Sequence, residues 1–281
     1  MDRGLCADPV PGEKGEGMIR RCTDRNRARE IFGDWQETMI WSCLDGIMGS
    51  VYVNENGYGI PTAALAVLGD FSFAAGMPDE ELAAFWPDER SPEFHIMVPQ
   101  NEAWEDVIER CYGKQARKVT RYAIKKEPNV FERERLLKAA GSPGKEYEIR
   151  AVDEELYRQC RKESWSRDLV SQFESYEKYR SLGMGSVILC GGKIVSGASS
   201  YTRYKGGIEV EIDTKKEFRR RGLAFACGAA LILQCLDRGL YPSWDAQNLW
   251  SVALAEKLGY HFSHEYAAYE IRQQDNMRRS L

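Results

Sequence analysis

The sequence has only three histidines, His95, His261 and His264, and no C-x-x-C pair. That shortage argues against a catalytic zinc site and a histidine-based nucleophile triad, so no metal is expected. Long apolar runs are also missing, since no stretch reaches the ~20 residues that a membrane span needs. The opening MDRGLCADPVPGEKGEGMIRR has charge, proline and glycine but no apolar core. No signal peptide is read there, and residues 1 to about 18 are expected to fray. Excess positive charge is absent as well. A net charge of −4 and a pI near 5.7 argue against generic binding to nucleic acid or to acidic membranes. The eight cysteines are scattered, several within apolar segments. They suit free thiols in a reducing cytosol better than a disulfide framework, so the chain is expected to be cytoplasmic.

What is present suffices for a real core: 43% hydrophobic residues and 11% aromatics over 281 residues, enough for one large domain or two ordinary ones. A break falls near 125–146, where a helix over Phe131 to Ala140 runs into the turn chemistry of GSPGK. Beyond it EYEIRAV reads as a strand and DEELYRQCRKES as a helix capped by Asp153. Residues 168–182 read as one further helix. Three strands follow, Ser186 to Cys190, Ile194 to Tyr204 and Gly207 to Thr214, with Gly191-Gly192 and Lys205-Gly206 as turns. An apolar helix, a strand YPSWDA, a helix LWSVALAEKL and a strand AAYEI complete the pattern.

The first half reads as a worn copy of the second. PQNEAWEDVIERCYGKQARKVTRYAI (99–124) parallels AQNLWSVALAEKLGYHFSHEYAAYEI (246–271): both open Gln-Asn, run through a helix to Gly, and end in Tyr-x-Ile. A duplicated domain explains this better than a solenoid. The expected division is a degenerate domain over 19–126, a linker helix over 127–144 and a competent domain over 145–281. The worn half is read as roofing an acceptor pocket, packing as a scaffold, or mediating a homodimer.

Only the second half carries EFRRRGLA, three arginines running into Gly222 and a long apolar helix. A helix N-terminus offers unpaired N–H groups and the positive end of a dipole. Gly222 would let a ligand approach the backbone, and Arg219, Arg220 and Arg221 would add charge. These residues read as a pyrophosphate site, or as a solvated basic turn ahead of a core helix.

Arg219, Gly222 and Ala224, between a strand and a helix, resemble the R-x-x-G-x-A acetyl-CoA motif of the GCN5-related N-acetyltransferases (GNATs). The helix NLWSVALAEKLGY is similar to that family's second signature, with Asn248, Ser251, Lys257, Gly259 and Tyr260 in step. The order of elements over 145–271 agrees, and the two-half arrangement resembles the subgroup containing the zwittermicin A resistance acetyltransferase. The resemblance implies a mixed α/β fold in two tandem copies, and acetyl-CoA as co-substrate. It implies that the backbone of Arg220, Arg221, Gly222, Leu223 and Ala224 binds the CoA pyrophosphate. It implies that the main chain of Ile212, Asp213 and Thr214 binds the pantetheine arm, and that Asn248 and Ser251 lie near its sulfur end. The strand ending at Thr214 and YPSWDA are expected to splay, leaving a wedge for the thioester.

Acetyl transfer to an amine needs a base. In IEVEIDT the alternation puts Glu209, Glu211 and Asp213 on one face, roughly 6.6–7 Å apart. Clustered carboxylates raise one another's pKa and attract a cationic amine. Glu209 and Glu211 are the candidate bases; an exposed, solvated sheet face is the plainer reading. Trp165, Asp168, Phe173 and Tyr201 lie on segments that border acceptor sites in similar folds. Ala255 stands where the family often has a tyrosine acid, which leaves Ser251, Tyr260 or solvent to serve the leaving thiolate. The expected acceptor is a small-molecule amine. A peptide acetyltransferase and a non-catalytic CoA-binding protein are the alternatives; a deep acidic pocket favours the small molecule and an open groove the peptide.

Overall fold

The computed structural model describes residues 18–87 and 94–272. Nearly all of the tail expected to fray lies outside the described residues. The first half runs β1 (Met18–Arg21), α1 (Arg25–Phe32), α2 (Thr38–Asp45), β2 (Ser50–Glu55), β3 (Pro61–Leu68) and β4 (Phe71–Gly76). It continues through α3 (Glu80–Ala84), β5 (His95–Pro99), α4 (Glu102–Tyr112) and β6 (Ala116–Ile124). A linking helix α5 (Arg133–Ala140) leads to β7 (Tyr147–Ala151), α6 (Glu154–Cys160), α7 (Ser164–Arg167) and α8 (Tyr176–Leu182). Then come β8 (Gly185–Cys190), β9 (Lys193–Tyr204), β10 (Gly207–Thr214) and α9 (Leu223–Asp237). The chain ends β11 (Tyr241–Ser243), β12 (Asp245–Ala246), α10 (Leu249–Leu258) and β13 (Phe262–Ile271).

The two halves share one plan. β2-β3-β4 and β8-β9-β10 are antiparallel meanders, each followed by a helix and a strand parallel to the last of the three. The paired Gln-Asn motifs do the same job: Asn101 accepts from the Trp104 amide at 3.2 Å and Asn248 from the Ser251 amide at 3.0 Å, capping α4 and α10. The helices differ most where the arginine-glycine element is missing, α3 having five residues against the fifteen of α9.

The halves exchange their last strands. β13 lies between β5 and β6, and β6 lies between β13 and β12. An eight-stranded sheet of order β1-β2-β3-β4-β5-β13-β6-β12 therefore contains strands from both halves, beside a five-stranded sheet β11-β10-β9-β8-β7. The segment YPSWDA, read as one strand, is two: β11 pairs with β10 in the smaller sheet and β12 with β6 in the larger. Buried Trp244 stands at the crossing.

Residues 168–182 are not one helix. Leu169, Val170 and Phe173 donate to carbonyls three residues back, which winds a compact turn, and all three side chains are buried. A helix begins only at Tyr176, where Ser175 accepts from the Lys178 amide at 3.2 Å. Burial of three apolar side chains in a turn here outweighs helical propensity.

α9 is apolar all round because it is covered on two sides. Leu223, Ala226, Cys227 and Leu231 pack on β8 and β9, while Ala229, Ile232 and Leu233 pack on α5 and α10. Each fully buried Leu or Ile contributes about 1.5–3 kcal/mol, and Leu231→Ala would cost about 2–5 kcal/mol. This packing fixes the N-terminus of α9 beside the end of β10.

Candidate active site

β10 and β11 pair at only three positions, ending at Glu209 and Ser243. Past that point β10 continues along β9 while the chain after β11 turns to the other sheet, so a wedge opens along Val210 to Thr214. Lys215 donates its amide to Val195 of β9 at 2.9 Å. By strand alternation the amides of Ile212 and Thr214 face away from β9, into the wedge. There they donate to the neighbouring carboxylates, Ile212 to Glu211 at 3.1 Å and Thr214 to Asp213 at 2.6 Å.

At the wedge's far end lies the loop from Arg219 to Gly222. Arg220 and Gly222 both adopt left-handed backbone, with φ of 62° and 77°. They turn the chain into the N-terminus of α9, whose first amides have no intrahelical partner and lie at the positive end of its dipole. Nothing lies within 4 Å of where a Cβ on Gly222 would sit, so the approach to these amides is open. Two guanidiniums are turned onto the protein. Arg219 donates to the Thr214 carbonyl at 3.0 Å and to Asp213 at 3.3 Å. Arg221 donates to the Glu217 carbonyl at 3.0 Å and to Tyr147 at 3.3 Å, and covers the Phe218 ring. Arg220 is exposed. The loop thus offers backbone donors and one outward-facing charge.

Glu209, Glu211 and Asp213 line one cleft of about 330 Å³, along with Asp70, Asp168 and Asp245. Both halves build it: Met39, Asp70, Phe71, Ile96 and Arg121 come from the first, and Trp244 and Ser251 from the second. A β-bulge between Glu209 and Val210 leaves Tyr201 as the extra residue on β9, and Tyr201 also lines the cleft. Its hydroxyl accepts from the Asp70 amide at 3.0 Å, docking the β3-β4 turn against β9.

Burial sets the electrostatics. Glu209 is 5% exposed; Thr38 donates to its Oε2 at 2.5 Å, and its Oε1 has no hydrogen-bond partner. Burial raises its pKa, and the nearby Glu37 carboxylate raises it further. Glu37 is raised for the same first reason, against the lowering pull of Lys126. Glu211 is pushed up to about 8 by burial, then by Asp168 and Asp213. Asp70 is pushed up to about 6 by burial and by Asp168. Opposite them Arg121 on β6 grips Asp245 with two nitrogens, and Tyr266 on β13 donates to the same carboxylate at 2.7 Å. This trio pins the exchanged strands beside the cleft.

Asp168 and Tyr201 do border the cleft, whereas Phe173 is fully buried with α6 and α8, and Trp165 packs at the edge of that cluster. Tyr260 is turned inward, its buried hydroxyl donating to the Pro242 carbonyl at 2.7 Å. Ser251 lines the cleft and accepts from Trp244 Nε1 at 3.0 Å. Asn248 spends its side-chain oxygen on the α10 cap. Sequence reasoning missed Thr38, Asp70 and Arg121. Arg121 sat in a basic run and Asp70 in a Gly-Asp turn, and no local pattern joins either to β10.

Residues 29–269 match the family model described as GNAT acetyltransferase. A curated relative, the uncharacterized N-acetyltransferase YdfB of Bacillus subtilis strain 168, is 25% identical over 247 residues, covering 83% of this chain and 89% of its own. The crystal structure of a GCN5-related N-acetyltransferase-like protein from Streptococcus suis 89/1591 is 47% identical, with a TM-score of 0.83 over 89% of this chain and 98% of that one. A GCN5-related N-acetyltransferase from Sphaerobacter thermophilus, 14% identical, has the same fold at a TM-score of 0.56, over 91% of this chain and 95% of its own.

Proposed function

The chain belongs to the GNAT acetyltransferase family, and on that premise we propose that it moves acetyl from acetyl-CoA to a primary amine of a small molecule, directly, within a ternary complex. The observation that carries this reading is the wedge beside Glu209, which lies between the N-terminus of α9 and a cleft of carboxylates. Acetyl-CoA supplies an activated acetyl group and a pyrophosphate. The amides of Arg220 to Ala224 would hold the pyrophosphate, with Arg219 fixing the loop to β10 and Arg221 bracing it. The outward amides of Ile212 and Thr214 would take the pantetheine arm, with Asp213 between them. Ser251 and Asn248 at the start of α10 would close the sulfur end.

Glu211 is the better base of the two candidates. It lines the cleft, is only half-buried, and is poised near neutral pH, where a general base works best. Glu209 is deeper and already engaged by Thr38, which suits it to holding the amine. An acyl-cysteine has no support: Cys227 and Cys235 are fully buried, with thiols pushed up to about 12 by burial. The acidic cleft built by both halves favours a small cationic molecule, and its volume lies within the range of small-ligand pockets. The zwittermicin-type subgroup resemblance adds an amino-bearing antibiotic as a candidate acceptor.

The test is release of CoA thiol on mixing acetyl-CoA with a panel of amines, amino sugars and peptides. Release with small amines, lost in Arg221→Glu, supports the reading. Tight CoA binding without release across the panel would instead mark a CoA-binding protein.

A further inference from the structure

The cleft gathers more carboxyl groups than one amine needs. Both of its guanidiniums are paired, Arg121 with Asp245 and Arg219 with Asp213. Among the described residues Asp70, Asp168, Glu209 and Glu211 have no ionic partner. No three acidic, histidine or cysteine side chains among the described residues are grouped to hold a metal ion; the acids are spread along the cleft.

Glu209 offers the cleft an open acceptor. It is 5% exposed, one oxygen is bound by Thr38, and the other, Oε1, is buried without a partner on the cleft wall. A buried acceptor left unpaired is costly, and a donor entering the cleft would relieve it. Glu211, two residues on along the same face of β10, lines the same cleft, so an ammonium there lies within reach of both side chains.

Asp70 and Asp168 form a second pair, one from each half. Asp168 caps the C-terminus of α7 and lines the same cleft as Asp70 and Glu211, near enough to raise the pKa of both. Asp70 is fixed in place. Its amide is bound by Tyr201 and its carbonyl accepts from Ile96 at 2.7 Å. The preceding Gly69 is so close to the second half that a Cβ there would lie 2.4 Å from Gln172 Oε1 and 2.5 Å from the Tyr201 hydroxyl.

Building on the transferase reading, we propose that the acceptor carries two amines: one reacts between Glu209 and Glu211, and the other is held as an ammonium by Asp70 and Asp168. The partner chemistry is a small dication with a short spacer, either a linear diamine or a polyhydroxylated one such as a diamino sugar. One half of the protein supplies the base and the two halves jointly measure the distance between the nitrogens.

The experiment is calorimetric titration of the full chain with CoA present, using linear diamines, diamino sugars, and the amino alcohols in which one amine is replaced by hydroxyl. The diamine should bind about tenfold or more tightly than its matching amino alcohol. That ratio should fall about tenfold in Asp70→Asn and in Asp168→Asn, each checked for an unchanged melting transition. The stronger of the two diamine types identifies the natural scaffold. A wild-type ratio near one, or a ratio unchanged in both variants, overturns the proposal. Thiol release measured alongside separates the two readings. Release without diamine preference sinks the second subsite alone, and diamine preference without release sinks the transferase alone.

Discussion

Thr38, at the start of α2 in the first half, donates its hydroxyl to Glu209 of the second half at 2.5 Å, with both side chains buried. This bond ties the worn copy to the strand that carries the candidate base. Thr38→Val keeps the shape and removes the donor, leaving a buried carboxylate with neither oxygen bound. We expect a loss of about 1–3 kcal/mol in chemical denaturation, largely restored by Thr38→Ser. Full stability in Thr38→Val would mean that the bond contributes nothing.

The turn bearing Asp70 depends on Gly69. Its φ of 57° suits glycine, and a side chain there would meet Gln172 and Tyr201. Gly69→Ala should cost about 1–3 kcal/mol and weaken binding of cationic acceptors, because Asp70 is pushed off its seat. Calorimetry on the folded variant separates the two effects.

Gly222 is a different case. Open space surrounds it, so Gly222→Ala adds strain but no clash. The left-handed residue costs about 1–2 kcal/mol without glycine. We expect CoA affinity to fall about tenfold as the loop ahead of α9 relaxes, read by titration with CoA.

Glu211 and Asp70, pushed up to about 8 and 6, hold protons in the folded state that the unfolded chain gives up near its ordinary value of roughly 4. Their contribution to stability is therefore complete below roughly pH 4 and is lost as pH rises through about 6 and then 8. Thermal stability should decline across that window, and Glu211→Gln should flatten the upper part of the decline. A melting temperature that rises steadily from about pH 5 to 9 would contradict this assignment of the shifts.

Much of this was legible in the sequence because it is local. Alternation placed Glu209, Glu211 and Asp213 on one face, the two Gln-Asn motifs marked both helix caps, and the arginine-glycine loop marked the start of α9. What was hidden is non-local. The exchange of β6 and β13 rests on pairings between strands more than a hundred residues apart, and nothing in either segment states its partner. The split of YPSWDA at Trp244 follows from that exchange, since β12 leaves β11 to meet β6. Arg121 reaches the cleft through that exchange, Asp70 through the contact of its turn with Tyr201, and Thr38 meets Glu209 from α2. The expected helix over 168–182 failed for a related reason, because three apolar side chains there are claimed by a core formed elsewhere in the chain.

The most direct measurement is the pH dependence of kcat/KM for thiol release in the wild type and in Glu211→Gln. Wild-type activity should rise with pH through a midpoint near 8 and level off above it. Glu211→Gln should lose about 10²–10⁴ in kcat along with the ionisation that shapes the rise. A glutamine variant that keeps both the wild-type rate and the wild-type pH profile would contradict the assignment of Glu211 as the base.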